Sequence, residues 1–247
     1  MVFEVLMLFI LNLILMANIL NIDTSSSICS VALAQNGEIV VGFESKQKMD
    51  HSTSLAPFVR KCLDFLKDRQ EKLDAISVTN GPGSYTGLRI GLSLAKGLAF
   101  GLDIPIITLS TLEVMAVRAI FTYPNFQGDE MIVPMLDARR MEVYTAVYNS
   151  ALKLEFEETA LVLDSESFEG LKNIKTVLFI GDGTEKFKDL YRGDNGIWLG
   201  NNTAHAKFMV ALSEKYFRDN KFSDLAYTVP SYLKEYKAIQ SKNKVIH

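Results

Sequence analysis

Apolar and polar positions alternate along the first part of the chain in short runs that predict strands. Residues 18–23 (NILNID) form one run and residues 28–34 (ICSVALA) a second. Residues 38–44 (EIVVGFE) form a third, entered through an Asn36-Gly37 hairpin turn. Together they predict a three-stranded antiparallel meander whose first corner is the polar turn Asp23-Thr24-Ser25-Ser26. The period then lengthens to that of a helix. Leu55, Phe58, Val59, Cys62, Leu63 and Leu66 share one face, Arg60, Lys61, Asp64 and Lys67 the other, and Ser52 or Thr53 is placed to cap the start.

The stretch 75–101 (AISVTNGPGSYTGLRIGLSLAKGLAFG) organises the rest. It opens as a strand on Ile76 and Val78, breaks at Asn80-Gly81-Pro82-Gly83, and continues as a helix to Gly101 with Ser84 and Thr86 available as caps. Glycines between a strand and a helix let another backbone or a phosphate approach the turn. Within the helix Gly87, Gly91 and Ala95 form a stripe of small residues at four-residue spacing, beside Leu88, Leu92 and Ala99. Each helical glycine costs roughly 1 kcal/mol relative to alanine, so the stripe calls for a close neighbour. That neighbour is either the chain's own sheet or a second helix, possibly from a partner chain.

A strand at 104–108 and a helix from Ser110 or Thr111 to Ala119 follow. Loop-forming residues around 121–130 mark a boundary, after which the order repeats. A strand at 131–136 ends at Asp137, as the first strand ends at Asp23. After the turn 137–140 come a strand at 142–148, another at 177–180, a glycine turn at 181–184 that opens a helix, and a helix over 204–218. The repetition predicts a duplicated α/β unit with a cleft between its copies: one half over 16–122 and one over 123–233, flanked by residues 1–15 and a lysine-bearing tail at 234–247.

Residues 1–15 (MVFEVLMLFILNLIL) are almost wholly apolar, yet shorter than the ~20 residues a membrane span needs. They carry Glu4 and no basic residue, unlike a secretory leader. The preferred reading is a start codon placed too early, with Met16 the working start; a membrane anchor and an extra helix are the alternatives.

The whole chain has 247 residues, 48% of them hydrophobic, and a net charge of −3. That fits a globular protein with a substantial core and argues against a body that grips nucleic acid unaided. Cys29 and Cys62 lie in apolar segments, outside any CxxC pair, and read as buried free thiols of a reducing compartment. His51, His205 and His247 are the only histidines and none has a second at ligand spacing. His51 reads as a solvated or capping side chain. Asp23, Thr24 and Ser25, with Asp137, place carboxylates and hydroxyls at strand ends. Such a cluster can hold a metal–phosphate group but more often satisfies a turn.

Several of these stretches resemble one family. Residues 20–26 (LNIDTSS), 80–91 (NGPGSYTGLRIG), 104–116 (IPIITLSTLEVMA), 137–144 (DARRMEVY) and 230–233 (PSYL) are similar to the bacterial tRNA threonylcarbamoyladenosine biosynthesis protein TsaB, also called YeaZ. Arg140, where the family often has a smaller residue, and Lys234, where arginine is common, are small departures. The resemblance implies an α/β, actin-like (hexokinase/Hsp70-type) fold of two ribonuclease-H-like halves and a cytoplasmic scaffold without catalytic residues. It implies the transferase TsaD and the ATPase TsaE as partners, tRNA reached indirectly through that complex, and homodimers when the chain is alone. It also implies that Thr111 and Met115 stand where the catalytic paralogue has two metal-binding histidines, with Glu113 alone between them; no metal and no cofactor is expected. Asp23, Thr24, Ser25, Gly81, Gly83 and Asp137 are then the remains of a nucleotide cleft. The partner surface is expected on Gly87, Leu88, Gly91, Leu92 and Ala95 of the glycine helix and on Leu55, Val59 and Cys62 of the helix before it. An active kinase or a metallopeptidase on the same fold is the alternative.

Overall fold

A computed structural model describes residues 17–45 and 50–234. The apolar extension and nearly all of the basic tail lie outside the described residues. Two five-stranded sheets carry the chain, and both are built in one order. The first contains β1 (Asn18–Asp23), β2 (Ser30–Gln35), β3 (Glu38–Glu44), β4 (Ala75–Gly81) and β5 (Ile106–Ser110), in the order β3-β2-β1-β4-β5. The second contains β6 (Met131–Asp137), β7 (Glu142–Asn149), β8 (Leu154–Val162), β9 (Val177–Ile180) and β10 (Gly196–Trp198), in the order β10-β9-β6-β7-β8. In each sheet the meander is antiparallel and the two later strands run parallel to the central one. The duplication expected from the sequence is thus a duplication of topology.

The helices follow from their apolar stripes. α1 (His51–Asp68) buries Leu55, Val59, Cys62 and Leu66 against the first sheet. Its cap position is Asp50 rather than Ser52 or Thr53, and Ser54 Oγ donates to the Asp50 carboxylate at 2.5 Å. α2 (Tyr85–Leu102) is capped by Ser84, whose hydroxyl accepts from the Gly87 N–H, and it ends at Asp103 in the left-handed conformation. α3 (Thr111–Thr122) is apolar on most of its circumference and accordingly lies in the core shared by the two sheets. Ser110 caps it through the N–H groups of Leu112 and Glu113.

Two features depart from the expected division. After Gly181 the helix is a single turn, α4 (Glu185–Lys188), and the predicted helix over 204–218 is a 3-10 turn (Ala206–Phe208) followed by α5 (Val210–Arg218). From Ala206 onward the chain also returns to the first sheet. α5 packs on β1 and β5, Ser223 bridges to Ile106, and the Ser231 N–H donates to the Asn80 carbonyl at 2.6 Å. Grouping residues 123–233 as one half therefore follows chain order but not space.

Candidate functional site

The turn after β1, the glycine turn after β4 and the segment 230–234 form one packed unit. Asp23 Oδ1 accepts from the Ser25 N–H (3.1 Å), the Ser25 hydroxyl (2.7 Å) and the Thr79 hydroxyl (2.8 Å). The Ser84 N–H donates to the Ser25 carbonyl at 2.7 Å. Each glycine of the block meets its own chain. A Cβ on Gly81 would lie 2.4 Å from the Ser231 carbonyl oxygen, and one on Gly83 would lie 2.3 Å from that of Ser25. On Gly87 it would lie 2.1 Å from the Thr24 carbonyl oxygen, and on Gly91 2.2 Å from Thr24 Oγ1. What approaches the glycine turn is thus the protein's own backbone.

This geometry corrects the expected partner surface. Gly87, Leu88, Gly91, Leu92 and Ala95 are buried on the Thr24 turn and the first sheet, and Leu55, Val59 and Cys62 are buried in the same core. All eight are buried within this chain's own fold. The opposite side of α2 is open among the described residues: Ser93 and Phe100 are exposed, Phe100 at 79%, and no described residue from outside the helix lies within 4 Å of a Cβ added at Gly97 or Gly101.

A cleft of about 1310 Å³ separates the ends of β1 and β4 from the ends of β6 and β7. Of the expected nucleotide residues, Ser25, Gly83 and Asp137 line it, whereas Asp23, Thr24 and Gly81 do not. Asp23 and Thr24 are wholly buried, and Asp23 Oδ2 and Thr24 Oγ1 have no hydrogen-bond partner among the described residues. Asp137 pairs with Lys186 at 2.5 Å, and Glu142 pairs with Lys234. Partial burial pushes the Asp137 carboxyl up, but Lys186 and the Arg139 N–H together outweigh it and hold the group below the usual carboxylate range. Burial pushes the neighbouring Asp182 carboxyl up.

Three residues of this cleft, Arg139, Arg140 and Tyr232, were not expected from the sequence. Arg139 and Arg140 occupy the hairpin turn between β6 and β7, both at positive φ (72° and 52°), where non-glycine residues cost about 1–2 kcal/mol each. Their guanidinium groups make no hydrogen bond and no ion pair within 4 Å among the described residues. Tyr232 packs against Tyr85, with ring centroids 5.2 Å apart and the rings tilted by 33°, and its hydroxyl accepts from Arg89 Nε at 2.9 Å. DARR and PSYL stood out as family signatures, but only the fold brings them to one cavity.

Thr111 and Met115 are core residues of α3, and Glu113 accepts hydrogen bonds from the Tyr216 hydroxyl. Among the described residues no three of His, Cys, Asp and Glu come together as a metal would require. Burial pushes the thiols of Cys29 and Cys62 up to about 12, as free buried cysteines should behave. His51 is neither solvated nor a cap; it is buried, with Nε2 2.9 Å from the Ser26 carbonyl oxygen. His205 Nδ1 accepts from the Lys207 N–H while Nε2 faces Glu44 at 2.9 Å, an arrangement that needs the neutral ring with its proton on Nε2.

Burial holds the His205 imidazole below its ordinary 6.5, against the raising effect of Glu44. With the folded value depressed, the unfolded chain binds more protons, so this contribution to stability is full above the unfolded value and is lost as pH falls through the folded one. Thermal melts from neutral pH down to about pH 5 should show a steeper loss for the native chain than for His205→Gln. Parallel curves would remove His205 from the pH response.

Three kinds of comparison agree with this picture. The tRNA N6-adenosine threonylcarbamoyltransferase family, TsaD, matches residues 44–245. The tRNA threonylcarbamoyladenosine biosynthesis protein TsaB of Bacillus subtilis is 34% identical over 225 residues, covering 87% of this chain and 93% of that protein. The protein of the same name from Escherichia coli is 31% identical over 223 residues, covering 87% and 94%. The structure of YeaZ from Pseudomonas aeruginosa superposes with a TM-score of 0.72 at 27% identity, covering 88% of this chain and 100% of that one. The fold is the actin-like α/β arrangement of two ribonuclease-H-like halves. Among the described residues no helix is long and apolar enough to cross a membrane.

Proposed function

We propose that this chain, which belongs to the TsaB family and so takes part in making threonylcarbamoyladenosine in tRNA, acts there as a scaffold without chemistry of its own. Its partners are the TsaD transferase, held as a heterodimer, and the TsaE ATPase, which joins the pair. The tRNA is reached mainly through that complex, in the cytoplasm, and the same face closes a homodimer when TsaD is absent.

One observation carries the reading, the solvent side of α2. Ser93, Gly97 and Gly101 stand four residues apart on it, about 200° round the helix from Gly91 and its neighbours. Unlike Gly87 and Gly91, Gly97 and Gly101 meet no contact among the described residues that explains them, and Gly97, in the helix interior, weakens it by about 1 kcal/mol. Phe100 at 79% and Leu102 at 48% exposure flank them. A helix from another chain could lie close to such a stripe and cover both apolar side chains. A kinase reading is disfavoured because the glycine turn is filled by Ser25 and Ser231. A peptidase reading is disfavoured because Thr111 and Met115 cannot anchor a metal.

Gly97→Leu and Phe100→Glu should each weaken capture of TsaD by about thirtyfold, the size of an interface hot spot of about 2 kcal/mol, with thermal melts that show both variants folded and Gly97→Leu no less stable than the native chain. A tRNA modification assay with TsaD and TsaE should stall without this chain. Undiminished capture by both variants would place the interface elsewhere, and modification by this chain alone would end the scaffold reading.

A further inference from the structure

Besides the ion pairs it forms, the cleft presents exposed guanidinium groups, one of which, Arg139, also acts at a distance on Asp137. Its carboxylates are accounted for: Asp137 by Lys186, Glu142 by Lys234, and Asp182 as acceptor of the Asp137 N–H at 2.8 Å. Two guanidinium groups, Arg139 and Arg140, remain exposed on one wall with no hydrogen-bonded or ion-paired partner among the described residues. Tyr232 lines the same cavity at 43% exposure, its ring fixed against Tyr85 and its hydroxyl held by Arg89. The exposed Ser27 and Thr86 stand on the wall of the first sheet.

Paired guanidinium forks match the oxygens of a phosphate, and an adjacent immobilised aromatic ring offers a flat face to a base. A carboxylate-bearing peptide would use the forks but not the ring. A cleft open along its rim admits a strand that enters and leaves, whereas the glycine turn itself is packed against the backbone of Ser25 and Ser231.

We propose that this cleft binds unpaired nucleotides of an RNA strand, with phosphates on Arg139 and Arg140 and a base stacked on Tyr232. Duplex RNA is excluded by the same logic, because its bases are already stacked on one another. The choice of RNA leans on the tRNA-modification reading above; the geometry specifies the nucleotides and the residues that hold them.

The test uses the full chain, without partners, and fluorescence anisotropy of a labelled RNA hairpin with an unpaired loop. A fully paired RNA of the same length, ATP and polyglutamate serve as competitors. The loop hairpin should bind at least about tenfold more tightly than the duplex. Charge reversal at both arginines (Arg139→Glu with Arg140→Glu) should weaken binding at least about tenfold and lower the salt slope by roughly one to two. Tyr232→Ala should weaken it about tenfold with the slope unchanged. Circular dichroism melts establish that the variants are folded, and Arg139→Gln with Arg140→Gln serves as a milder pair should the reversals fail to fold. Equal binding by the arginine variants, absence of loop binding, stronger competition by polyglutamate, or displacement by ATP at nucleotide-level concentrations would each overturn the proposal. The two readings fail separately: Gly97→Leu should leave RNA anisotropy unchanged, and the arginine variants should still capture TsaD.

Discussion

Valine in place of Gly87 should destabilise the isolated protein by at least about 3 kcal/mol. A Cβ at this position falls 2.1 Å from the Thr24 carbonyl oxygen and 3.1 Å from Ser84 Oγ, and the first of these is backbone that cannot step aside. The Thr24 turn is itself pinned by Asp23 below and by the Ser84 N–H on Ser25, so relief requires α2 to lift from the sheet. In a protein of this length that energy is a fall in Tm of about 6–12 °C. The matched change on the other side of the same helix, Gly97→Ala, enters open space and should raise stability by about 1 kcal/mol. A Gly87→Val melt indistinguishable from the native one would show that the close packing of α2 on the turn is wrong. The outcome also separates the two uses of small residues on one helix, since the inner set serves folding and only the outer set is free for a partner.

Asp23→Ala should cost about 3 kcal/mol in urea denaturation, because three buried donors, the Ser25 N–H, the Ser25 hydroxyl and the Thr79 hydroxyl, lose their acceptor at once. Asp23→Asn should stay within about 1 kcal/mol of the native chain. Its carbonyl oxygen can take the Oδ1 position, and its amide replaces Oδ2, which has no partner to lose. A carboxylate kept for a nucleotide's metal would behave differently: alanine would be tolerated in the absence of ligand. Full stability of Asp23→Ala would therefore restore the nucleotide reading of this turn.

Much of this architecture could be read from order along the chain. The strands at 18–23, 38–44 and 177–180 appear with those bounds, Ser84 and Ser110 cap the helices they precede, and the repeat of strand order is present in both sheets. β8 escaped notice because it is an edge strand, with Glu155, Glu157 and Glu158 breaking its apolar run, and β10 is only three residues long. The cleft was expected, but its arginines and Tyr232 were not. Arg139 and Arg140 look like any polar turn until the fold sets them opposite α2, and Tyr232 reaches Arg89 across 143 residues of chain.

The sequence by itself determined what near neighbours control: where strands and helices run, which serine closes each helix start, and that α2 needs something close to its glycines. It could not say which glycines face inward, because Gly87 and Gly91 on one side and Gly97 and Gly101 on the other have the same spacing. That was decided by Thr24, more than sixty positions earlier in the chain, when the parallel pairing of β1 with β4 laid its turn under one side of the helix and left the other side to solvent. Helix periodicity records that a face is special; only packing between distant segments determines what fills it.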